Sequence, residues 1–255
     1  MHENICYKKP FLKEVIFKID FPSPIEGLGK NLPQNISKIA LKNFPISEPQ
    51  KVQSQEFQIS NANIQAKRSE ETQWVFHGKN RLKHLIISPN SIVFSFKKYK
   101  SYEHFTDQTT DFISEFYKKY KDLSVSRIGV RYVNVIELDE DKPLVWNEYI
   151  NEGMLGLIDF HGEQEHLTRS FHILEFNFDG QAVKYQFGIA NPDYPAVIKR
   201  KHFVLDIDSY FNGAIEQSEI FDCVEKAHEK IQGLFEKSIT DKTRTLMKQV
   251  QNNDD

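Results

Sequence analysis

The stretch Ser124–Leu138, SVSRIGVRYVNVIEL, decides the architecture of this chain. It is rich in Val, Ile and Tyr, which favour an extended, pleated backbone. Successive side chains of a strand point to opposite faces. Ile128, Val130, Tyr132, Asn134 and Ile136 therefore share one face, and Arg127, Gly129, Arg131, Val133 and Val135 share the other. The first set reads as core and predicts a central strand. In the second set, Arg127 and Arg131 stand on either side of Gly129, an arrangement with room for a planar or anionic group between two cations. Two arginines that each bridge to an acidic residue on a neighbouring strand would give the same pattern.

Upstream, Tyr102–Tyr120 carries Phe105, Phe112, Ile113, Phe116 and Tyr117 at helical i, i+3, i+4 spacing, with a charged opposite face. Before it come three strand signals, Thr72–Phe76, Leu82–Ser88 and Ile92–Tyr99, joined by turns at Gly78-Lys79-Asn80 and Pro89-Asn90. Connections this short make an antiparallel meander. Phe11–Phe21 alternates as a strand and stops at Pro22 and Pro24. An excursion with one short helix over Gln34–Asn43 follows, and the polar Val52–Ser69 is ambiguous.

Downstream the layout recurs. An excursion with a short helix over Leu144–Glu152 precedes strands at Leu167–Phe178, Ala182–Ile189 and Val197–Ile207. A helix over Ile215–Lys237 then breaks near Thr240. Asp179-Gly180 marks a type I′ hairpin. Leu12 to Ser126 and Tyr102 to Glu216 are both separations of 114 residues. The pattern predicts an α+β fold, residues 1–255 forming a single domain of two pseudo-repeated units (11–121 and 124–249). Each unit is a long strand, an excursion, three antiparallel strands and an amphipathic helix, and the two share one large antiparallel sheet.

A net charge of −3 argues against a general nucleic-acid binder, although Lys79, Arg81, Lys83, His84 with Lys97, Lys98, Lys100, and Lys199-Arg200-Lys201-His202, could form local basic patches. Two distant cysteines, Cys6 and Cys223, suggest no disulfide framework and a cytoplasmic location. No signal-type or membrane-length apolar run is present. Neither a phosphate-binding nor a dinucleotide fingerprint occurs, so no cofactor is expected.

Asp206 and Asp208 lie two apart at the end of the last strand signal, on one face. They could bind a divalent ion, cap the next helix, or pair with Arg127 and Arg131. His161 and His166, in the loop HGEQEH, are weak metal candidates with no recognised spacing. His228, Tyr132 and Asn134 read as hydrogen-bonded residues of the core edge.

RIGVRYVN (127–134), FLKEVIFKIDF (11–21), ISPNSIVFSFKKYKSYEHF (87–105), LDIDSY (205–210) and AHEKIQGLFEKSITDKTRTLM (227–247) together resemble a sporadically distributed prokaryotic family of about this length. That family carries no activity to transfer. The resemblance implies an accessory gene of the kind found in defence or toxin–antitoxin modules. The strand and helix order is also similar to that of SecB-type export chaperones. The resulting expectation is a non-catalytic protein-binding component with a protein partner, no membrane, and homo-oligomerisation as a further possibility. The alternative is a ligand sensor or enzyme with a polar pocket of Arg127, Arg131, Asp206 and Asp208 at the sheet centre.

Overall fold

The computed structural model describes residues 5–60, 63–160 and 162–249. At its centre β7 (Val125–Leu138) pairs on one side with β1 (Leu12–Asp20) and on the other with β10 (Lys201–Ile215), all antiparallel. Phe17 lies opposite Val130, and Ile207 opposite Tyr132, so apolar side chains of all three strands share one face. A slip of one residue would carry that whole set to the other face, so burial fixes the register.

Beyond β1 come β6 (Ser91–Phe96), β5 (Lys83–Ile87) and β4 (Asn63–His77), with β2 (Ile46–Ser47) and β3 (Gln50–Ser60) both paired to β4. Beyond β10 come β9 (Gln181–Ile189) and β8 (Ser170–Phe178), completing a ten-stranded antiparallel sheet. The order is β4-β5-β6-β1 on one side of the central seam and β7-β10-β9-β8 on the other.

The helices lie on the apolar face. They are α1 (Gln34–Asn43), α2 (Tyr102–Lys119), the short α3 (Gly156–Asp159), α4 (Ile220–Ser238) and α5 (Asp241–Met247). The Ser101 side chain accepts a hydrogen bond from the His104 amide and starts α2. Phe105 of that helix meets Phe17 edge-on at 6.0 Å, Phe112 meets Phe94 at 5.6 Å, and Phe116 stacks on Phe21 at 5.9 Å. α4 lays Val224, Ala227 and Ile231 on β7 and β10. Each aromatic buried this way contributes roughly 1.5–3 kcal/mol. On the other face Ile16, Lys18, Arg131, Val133 and Lys184 remain partly exposed, and no helix among the described residues covers them. No helix among the described residues is long and apolar enough to cross a membrane.

Four local readings change. No continuous helix forms over Leu144–Glu152. Trp146, Tyr149 and Ile150 have helical spacing, but they make a single turn before Ile150 bridges to Ile239 and Asn151 caps a 3-10 turn at Glu152–Met154. β10 continues past Ile207 to Ile215, because Asp208, Asn212 and their neighbours pair with β7 despite their turn-forming composition. Asp206 and Asp208 are therefore mid-strand and cap no helix. α4 starts at Ile220, five residues later than expected, where Glu216 and Glu219 cap each other's backbone. Finally, within the ambiguous Val52–Ser69, residues 52–60 belong to β3 and residues 63–69 to β4, two antiparallel partners whose polar sequence hides the period-two signal.

Tyr117 on α2 is buried, yet its hydroxyl has no hydrogen-bond partner among the described residues. A buried unsatisfied hydroxyl costs stability that a phenyl ring of the same shape would not. Tyr117→Phe should raise stability by about 1 kcal/mol in urea unfolding; a loss of that size would show that the hydroxyl has a partner.

Candidate functional site

Arg127, Arg131, Asp206 and Asp208 meet on the open face. Arg131 lies opposite Asp208 in register, but its guanidinium reaches the diagonal neighbour, Asp206. It does so as a two-pronged fork: Nε donates to Oδ1 at 2.7 Å, and Nη2 donates to Oδ2. Arg127 Nη2 donates to Asp208 Oδ2 at 3.0 Å, and Nη1 stands 3.8 Å from Asp20, which Lys18 also holds at 2.8 Å. Burial raises the Asp208 carboxyl above the usual carboxylate range, against the pull of Arg127 and Arg131.

Gly129 decides where Arg127 lies. A Cβ built there would stand 2.9 Å from Arg127 Nη1, so the guanidinium rests on the strand backbone and over the Tyr210 ring at 4.4 Å. The room expected between two cations is filled by one of them. The four residues form two ion pairs across adjacent strands, a charge-balanced platform in which the half-exposed Arg131 keeps further donors for solvent or a partner.

The helix face holds a second constellation. Tyr99 Oη lies 3.0 Å from Tyr132 Oη, which lies 2.9 Å from His228 Nδ1, and Tyr102 stacks on the His228 ring at 4.1 Å. These residues, with Cys6 and Asn134, line a cavity of about 70 Å³ to which Ile5, Tyr7, Pro10, Phe11, Leu12 and Met247 also contribute. Burial drives the His228 imidazole down to about 4 and raises the Tyr132 phenol, so both are neutral near pH 7. Burial and Glu103 raise the Cys6 thiol as well, which makes it a poor nucleophile. Lys100 and Glu236 also line this cavity, and the neutral Tyr99–Tyr132–His228 chain offers hydrogen bonds to waters there.

No family model matches the chain, and no curated protein matches it.

His161 lies outside the described residues. His166 is exposed beside Glu165 at 3.8 Å, and no group of three metal-ligating side chains occurs among the described residues. Of the basic clusters, Lys97, Lys98 and Lys100 are exposed. Lys201 instead turns inward: 2 % of its side chain is exposed, its ammonium reaches Glu140 at 2.6 Å, and the Trp146 and Tyr149 rings stand 5.3 and 4.8 Å away. Sequence reading expected Tyr132 and His228 to be hydrogen-bonded, and they are; it missed this cage, Tyr99 and the link between the three, because the members are far apart in sequence. The signal available was polar residues at inward positions, Tyr132 on its strand and His228 beside Ala227.

Proposed function

We propose that this chain is a non-catalytic protein-binding component, built from two similar units, that docks a protein partner on the open face of its sheet. The supporting observation is the one-sided covering of that sheet. Ile16, Val133 and Val135 stay partly exposed around the Arg131–Asp206 and Arg127–Asp208 pairs, while the apolar set on the other face is buried. Partly exposed aliphatic side chains beside an arginine held in place by its own carboxylate suit a specific contact surface. An accessory role of the defence or toxin–antitoxin kind rests on the resemblance of the RIGVRYVN and LDIDSY blocks. A catalytic or sensing pocket made from the four charged residues would need them to converge on a void, whereas they pair with one another and the cavity lies on the opposite face.

The test is affinity capture with the tagged chain, co-expressed with its genomic neighbours, beside a Val133→Lys variant. The new ammonium would lie next to Asp206 in register, so the fold should persist by circular dichroism while a partner seated on the face is displaced. Recovery of the same partners in equal amounts with both proteins would remove the open face as the docking surface.

A further inference from the structure

The sheet ends differently at its two sides. One side closes with the two-residue β2 and the polar β3, which reads QKVQSQEFQIS. The other closes with β8, nine residues reading SFHILEFNF, with no proline, no lysine and a single charge, Glu175. Glu175 lies opposite Lys184 of β9 in register. Ile173 is 52 % exposed on one face of the strand, and Leu174 and Phe178 are 46 % and 38 % exposed on the other. Among the described residues, no backbone hydrogen bond joins residues 170–178 to any segment except β9. Edges of this kind are usually blocked by charges, prolines, bulges or a covering segment. Among the described residues, β8 has one such guard, the single charge of Glu175.

We propose that β8 pairs with β8 of a second copy of this chain, antiparallel about a two-fold axis at Leu174, so that the two sheets run on as one. The axis must pass through a residue, because opposed side chains of an antiparallel pair share a face. Charge selects Leu174. Arg169 lies five residues before it and Asp179 five residues after it, both exposed and neither with an ion-pair partner among the described residues. Pairing about Leu174 sets Arg169 of each copy against Asp179 of the other at both ends of the interface. Leu174 meets its own counterpart at the centre, His172 meets Phe176, and Ile173 lies over the aliphatic part of Glu175. An isologous contact of this sort closes as a dimer and leaves no repeating edge. It holds whether or not the open face takes a partner.

Light scattering on the eluting protein should give twice the 29.9 kDa of one chain in the micromolar range. Leu174→Lys, at an exposed side chain, should halve that mass with unchanged circular dichroism. In a Cys6→Ser/Cys223→Ala background, Leu174→Cys should cross-link to its own copy on mild oxidation, because the two thiols face each other at antiparallel-pair distance. Phe176→Cys, placed opposite His172, should not. A monomeric wild type, a dimer that survives Leu174→Lys, or cross-linking at position 176 but not at 174 would each overturn the proposal.

Discussion

Acidification from pH 7 to pH 4 should cost the fold about 3 kcal/mol through His228 alone. In the folded chain the imidazole is buried, stacked on Tyr102 and hydrogen-bonded to Tyr132, and burial holds it down at about 4. Glu103 pulls the other way and is outweighed. In the unfolded chain it returns to about 6.5. Between those values the unfolded state takes a proton that the folded state refuses, so the contribution is fully present above pH 6.5 and is lost as pH falls to about 4. By pH 5 the loss should reach about 2 kcal/mol. Carboxylates also titrate in this range, so the measurement is a difference: urea unfolding at pH 7 and pH 5 for the wild type and for His228→Gln, which can still accept from Tyr132 but does not titrate. The wild type should lose more than the variant by that amount. Equal losses would mean that His228 is protonated in the folded protein.

How much of this was legible follows from which forces act locally. The alternation in Ser124–Leu138 placed Ile128, Val130 and Ile136 in the core and the arginines opposite, because a strand with one buried face writes its period into the sequence. The Asp179-Gly180 turn was readable for the same local reason, both residues taking positive φ at 51° and 95°. Where the pattern was polar on both faces, as in β3 and β4, the hairpin could not be seen. The extent of β10 depended on β7 continuing beside it, a long-range fact that outweighed the local preference of Asp208, Asn212 and Gly213 for turns. The pairing of two arginines with two aspartates was one of the alternatives open in the sequence. That Gly129 makes room for Arg127 and for no other group depends on where one side chain folds back, and composition carries no record of it.

Arg131→Ala should destabilise the protein by about 2 kcal/mol. The substitution leaves the Asp206 carboxylate, whose side chain is 9 % exposed, without its forked partner. A fully buried pair broken in this way costs roughly 3–5 kcal/mol; here 42 % of the arginine side chain is exposed, and water entering the vacated space screens the remaining charge. Arg131→Lys should recover only part of the loss, since an ammonium cannot reproduce two parallel N–H···O bonds. Removing both partners in Arg131→Ala/Asp206→Ala should be less harmful than the sum of the single changes, the sign expected when most of the cost is a stranded charge. The cycle is read by urea unfolding at pH 7. A loss below about 0.5 kcal/mol for Arg131→Ala, the range of an ordinary surface substitution, would show that the fork contributes little to the fold. If the same variant also failed to capture a partner that the wild type retains, Arg131 would be held in place for the partner, with Asp206 acting as its positioning residue.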